Sequence, residues 1–149
     1  IRLSQSFPFV TAAAPSYVEK FGFPETPEDL RDHLCVRMRN AAGVIVPWNF
    51  QRHGRLFDVM VTGPVIVNDV NANLVAVKAG IAIGRLAGPT ADLLVKKGEL
   101  LLMLRDYEVI TSGLFLYYPS RAQVMPKLRA FIDYVRKHLP SQLTVSPSV

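Results

Sequence analysis

An α/β fold built on a mixed sheet is what this sequence predicts. Strand-type and helix-type segments alternate along most of its 149 residues. Residues 65–86, VIVNDVNANLVAVKAGIAIGRL, read as strand, polar turn, helix, glycine, strand, and one antiparallel hairpin interrupts the alternation.

Residues 7–13, FPFVTAA, have the apolar run of a buried strand with Pro8 near its start. PSYVEKF then gives a short helix over 16–21, closed by Gly22. Thr26-Pro27-Glu28-Asp29 is a helix start, with Thr26 as N-cap, Pro27 at the first position and Asp29 as the capping-box acid. That helix ends near His33, and LCVRM over 34–38 is the next strand. After a turn at 40–43, two strands at 48–50 and 55–62 are joined across Gln51-Arg52-His53-Gly54. In LFDVMVTG the alternation of Phe57, Val59 and Val61 against Leu56, Asp58 and Met60 marks a half-buried strand, broken by Gly63-Pro64.

Residues 65–67 form a strand, Asn68-Asp69 cap a helix from Val70, Gly80 ends it, and Ile81-Ala82-Ile83 is the following strand. A helix over 90–97, a strand over 100–104 and another over 113–118 follow. The last helix spans about 125–138. Its apolar residues Leu128, Phe131, Ile132 and Val135 recur at intervals of three and four, so one face is apolar. Residues 140–149 read as a frayed tail.

Half of the residues are hydrophobic, enough for one real core, and no apolar run is long enough to span a membrane. The opening IRLSQSFPFV has no signal-peptide pattern, and the reading is a piece of a longer protein. The formal charge of +5 fits an anionic ligand or proximity to nucleic acid. Its basic residues are scattered without interleaved aromatics, which speaks against a single-strand binder. One cysteine, Cys35, excludes an internal disulfide and reads as a buried thiol.

The search for chemistry yields no catalytic residue and no metal site. His33, His53 and His138 stand apart without a second ligand at metal spacing. There is no nucleophile elbow, no P-loop and no dinucleotide fingerprint in GIAIGR. What remains is a binding site. The Asn68-Asp69 turn leaves helix N–H groups free for a carboxylate, sulfate or phosphate. Arg85, at the exit of the strand 81–83, either meets an anion or pairs with an acid of its own chain. Ligands in open α/β sheets gather beyond the carboxyl ends of parallel strands, where both features would lie.

Three stretches, in this order and spacing, resemble the C-terminal part of the effector-binding region of LysR-type transcriptional regulators. They are FVTAAAPSYVEKFGFPETPEDLRDHLCVRMR, WNFQRHGRLFDVMVTGPVIVNDVNANLVAVKAGIAIGRLAGPTADLLVKKGEL and LFLYYPSRAQVMPKLRAFIDYVRKHL. The resemblance implies a mixed-sheet lobe of a periplasmic-binding-protein type II-like effector domain, plus a C-terminal amphipathic helix. It implies a second lobe over residues 1–119, a helix over 120–139 that returns to the first lobe, and a flexible tail over 140–149. A cytoplasmic homo-oligomer is implied, with no cofactor and no membrane. Its partner is a small-molecule effector such as an organic anion or aromatic acid, and promoter DNA is reached only through an N-terminal domain this sequence lacks. The cleft-lining residues it implies are Asn68, Asp69 and Val70 together with Arg85, Leu86, Ala87 and Gly88. The family often has proline where Ala87 stands, which leaves the shape of that loop open. A fragment of an extracytoplasmic solute-binding protein is the alternative, and a small α/β enzyme the third reading. The missing nucleophile–base set counts against the latter.

Overall fold

The computed structural model describes residues 1–118 and 125–139. It divides into two units, Pro8–Val109 and a second made of Ile1–Phe7 with the residues from Ile110 onward. In the first unit the order is β1 (Pro8–Ala13), α1 (Pro15–Phe21), a 3-10 helix (Pro27–Asp32), β2 (Arg37–Met38), β3 (Trp48–Arg52) and β4 (Arg55–Val59). There follow β5 (Ile66–Val67), α2 (Val70–Lys78), β6 (Gly84–Ala87), α3 (Gly88–Lys96), β7 (Leu101–Met103) and a 3-10 turn at Arg105–Tyr107. Two-residue β8 (Val109–Ile110) begins on the last residue of this unit. The expected capping box is present, with the Asp29 carboxylate accepting from the Thr26 amide at 2.8 Å.

The sheet is mixed because one strand changes partners along its length. β2 and β5 run parallel, with Arg37 opposite Ile66. Ile83 continues this parallel set, bridging to Cys35 through Val36 N–H to Ile83 O and Ile83 N–H to Leu34 O, both 2.8 Å. From Gly84 the same chain pairs antiparallel with β1, whose other edge pairs antiparallel with β7. The strand expected at 81–83 is therefore longer and later: its regular part is Gly84–Ala87, and Arg85 lies inside it rather than beyond its end. The strands read at 34–38 and 55–62 are correspondingly shorter, Arg37–Met38 and Arg55–Val59.

Strand alternation sorts the core onto two faces. Val10, Ala12, Val36, Ala82 and Leu86 pack with Ala76 and Val77 of α2 and Ala91 of α3. Ala13, Cys35 and Ile83 pack on the other side with Tyr17, Leu30 and the hairpin residues Trp48, Phe50 and Val59. Burial on both faces explains why FPFVTAA and GIAIG read as continuous apolar runs. Cys35 is fully buried, and burial pushes its thiol up to about 12. The thiolate is the reactive form. An aromatic disulfide reagent at pH 8 is therefore expected to leave Cys35 unlabelled until denaturant is added; prompt labelling of the folded chain would contradict this packing.

In the second unit, the segment expected as a strand at 113–118 is extended but carries a single antiparallel bridge, Arg2 to Phe115. Leu3 N–H donates to Leu114 O at 2.7 Å and Leu116 N–H to Ile1 O at 2.7 Å. The last helix, α4, spans Pro126–His138. On its apolar stripe Ile132 is buried, Leu128 and Val135 are half-buried and Phe131 is exposed. The tail expected at 140–149 lies outside the described residues. Among the described residues no helix is long and apolar enough to cross a membrane.

Candidate functional site

The turn before α2 is set by Asp69, the N-cap, whose carboxylate accepts from Ala72 N–H at 2.9 Å. Asn73 N–H donates to Asp69 O at 3.1 Å. Among the described residues the amides of Val70 and Asn71 at the tip of the helix have no acceptor, as in the first turn of any helix without a further cap or ligand. Asn68, Asp69 and Val70 are all exposed.

Alternation along β6 turns Arg85 to the same face as Ile83, toward the hairpin, while Gly84 and Leu86 face α2 and α3. The Arg85 guanidinium donates to Asn49 O at 2.6 Å, to Asn49 Oδ1 at 3.3 Å and to Phe9 O at 3.4 Å. It lies over the rings of Phe50, at 5.0 Å, and Phe9, at 6.0 Å. Among the described residues no carboxylate comes within 4.0 Å of it. Burial pulls Arg85 down to about 10, against a smaller upward pull from Glu108. Of the two outcomes open for Arg85, the intrachain ion pair is not made among the described residues. The cation is held by neutral carbonyls and aromatic faces, a setting in which an incoming carboxylate would be the stronger acceptor.

The remaining residues of the expected set differ in what they offer. Leu86 is buried in the core beside α2 and α3. Ala87 is the N-cap of α3 with φ −63° and ψ 131°, a φ that proline also adopts. Gly88 opens α3 so close to Pro8 that an added Cβ would lie 3.0–3.2 Å from it.

Sequence reasoning missed Asn73. It is 4% exposed, and its Nδ2–H donates to Arg85 O at 2.7 Å. One side chain thus ties the first turn of α2 to the strand that carries Arg85, and the two halves of the expected site are joined by main-chain and amide bonds running Asp69–Asn73–Arg85. No bond joins the side chains of Asn68, Asp69 or Val70 to the guanidinium. Among the described residues Asn73 Oδ1 has no partner, and it faces Gly84, where an added Cβ would come within 2.9 Å of it. The signal was available: Asn73, Ala76 and Val77 form an i, i+3, i+4 stripe, and a polar residue in such a stripe must be satisfied inside.

No group of three or more His, Cys, Asp and Glu side chains is placed to hold a metal ion among the described residues.

The sequence pattern of the LysR substrate binding domain matches residues 2–140. The chain belongs to this family. It is 36% identical over 125 residues to the uncharacterized HTH-type transcriptional regulator YcaN of Escherichia coli, covering 84% of this chain and 40% of that protein. It therefore spans less than half the length of such relatives. In structure it is similar to the regulatory domain of CrgA, a LysR-type transcriptional regulator from Neisseria meningitidis, with TM-score 0.70, 20% identity and coverage of 94% of this chain and 68% of that one. The regulatory domain of the C227S variant of AphB from Vibrio vulnificus gives TM-score 0.70 and 21% identity over 93% and 68%. These likenesses support the mixed-sheet, type II-like LysR effector fold with its C-terminal helix. The named relatives are transcription regulators, which disfavours the solute-binding alternative.

Proposed function

We propose that this chain is the small-molecule sensing part of a cytoplasmic LysR-type transcription regulator, with no catalytic role. The effector meets the turn Asn68, Asp69 and Val70 and the segment Arg85, Leu86, Ala87 and Gly88. Arg85 supplies the charge, Asn68 a polar side chain, and Leu86, Ala87 and Gly88 main-chain surface. Residues 1–119 form the second lobe of the effector region and residues 120–139 return to a first lobe supplied by the rest of the protein. Promoter DNA is bound through an N-terminal helix-turn-helix domain, as the names of the relatives suggest, and the regulator works as a homo-oligomer.

The observation that carries the effector class is Arg85. A half-buried guanidinium with only neutral acceptors has given up part of its hydration without gaining a counter-charge. An organic acid would restore that balance with charge-assisted hydrogen bonds. The test is a thermal-shift screen of organic acids on the full-length regulator, followed by calorimetric titration of the acid that stabilises it most. Arg85→Ala is expected to weaken that acid by about 10- to 100-fold, the value of a hydrogen bond to a charged group. Asn68→Ala should weaken it less. Unchanged affinity in both variants refutes the assignment.

A further inference from the structure

A second concave site lies at the tip of the β3–β4 hairpin, and no function described above uses it. The turn is two residues long, with His53 at φ 51° and Gly54 at φ 75°, the left-handed pair that matches the twist of a hairpin. This register places Arg52 directly opposite Arg55 as the closing pair. Like charges in that relation repel.

Only one of the two is neutralised. Arg52 donates to the Glu28 carboxylate at 2.9 Å and lies over the rings of Phe57, at 5.1 Å, and Tyr107, at 5.4 Å. Arg55 has no acid within 4.0 Å and no side-chain hydrogen bond among the described residues. Beside them lies an open surface groove of about 590 Å³ lined by Glu28, Arg52, His53, Arg55, Leu56 and Phe57. That volume lies in the range of small-molecule sites. Two guanidiniums face it against one carboxylate. Phe57 and Leu56, the latter 69% exposed, give it an apolar wall.

We infer that the hairpin tip is an anion site in its own right, taking a carboxylate carried on a planar apolar body. The carboxylate sits between Arg52 and Arg55 and relieves the cross-strand repulsion that Glu28 relieves on one side only. The apolar body lies along Phe57, on the same strand face as Arg52 and Arg55. This site does not depend on Arg85 being the effector residue.

Benzoate is the probe, with benzyl alcohol as its uncharged counterpart, titrated into this chain labelled with 15N and followed by NMR. Saturable shifts at the amides of Arg52, Arg55 and Leu56 are expected with benzoate and not with benzyl alcohol. Arg55→Gln, at an exposed position, should weaken the benzoate response there about tenfold, as loss of a charged hydrogen-bond partner does. Arg55→Lys should restore most of it. Shifts that never saturate, or an equal response in Arg55→Gln, overturn the inference. A response confined to residues around Arg85 also overturns it, while supporting the effector reading of Arg85.

Discussion

Replacing Phe50 with alanine is expected to lower the unfolding free energy by about 3–5 kcal/mol, the usual cost of emptying a buried phenylalanine site. Phe50 is 1% exposed and lies in the core cluster with Tyr17, Leu30 and Trp48. Its ring stands 6.1 Å from that of Phe57 across the hairpin and 5.0 Å from the Arg85 guanidinium. The same side chain therefore fastens the hairpin to the sheet and supports the cation proposed to meet the effector. Phe50→Leu separates the two roles. It refills most of the volume and should recover most of the stability, but it removes the π face, worth about 0.5–2 kcal/mol to a guanidinium. Urea unfolding of both variants, paired with organic-acid titration of the full-length protein, checks this. A loss below about 1 kcal/mol for the alanine variant would mean that the hairpin is not anchored through this ring.

That dual role was invisible in the sequence, and the reason is instructive. Phe50 lies in WNFQR, where alternation marks a strand but says nothing of which sheet or cation its face meets. The run 65–86 was far more legible. Asn68-Asp69 announced a helix cap because short polar side chains satisfy the first N–H groups, and Asp69 does so here. The same run misled at its far end. Arg85 reads as a polar exit from an apolar strand, yet it lies within β6, because the chain leaves the parallel set at Ile83 and joins β1 as an antiparallel neighbour. A change of partner leaves no mark on the period of two that a strand imposes. The polar residue is tolerated there because its face looks at Asn49 and Phe9 carbonyls rather than into the aliphatic core.

Gly63→Ala is expected to destabilise the chain by about 3 kcal/mol or more, at or beyond the upper end of overpacking costs. The glycine needs no unusual backbone angle; the requirement is space. A Cβ at Gly63 would run into the Cys35 carbonyl oxygen and lie 2.8 Å from Cys35 N and 2.9 Å from Cys35 C. These are main-chain atoms held in place, since Cys35 N–H donates to Thr62 O at 2.8 Å and Val36 N–H to Ile83 O. Neither strand can yield without breaking the parallel ladder. The chain returns here from the hairpin to lie beside β2, and Arg37 N–H bonds to Val65 O at 2.9 Å two residues later. Everything that follows, including the Asp69 cap and the Asn73 tie to Arg85, takes its position from that approach. The alanine variant should therefore lose organic-acid binding along with stability. In thermal unfolding it should melt well below the parent, and adding the acid should narrow the gap little. A variant that melts with the parent would show that residues 62–65 can move away from Cys35, and the turn before α2 would then be anchored by the β2–β5 pairing and the Asn73–Arg85 bond.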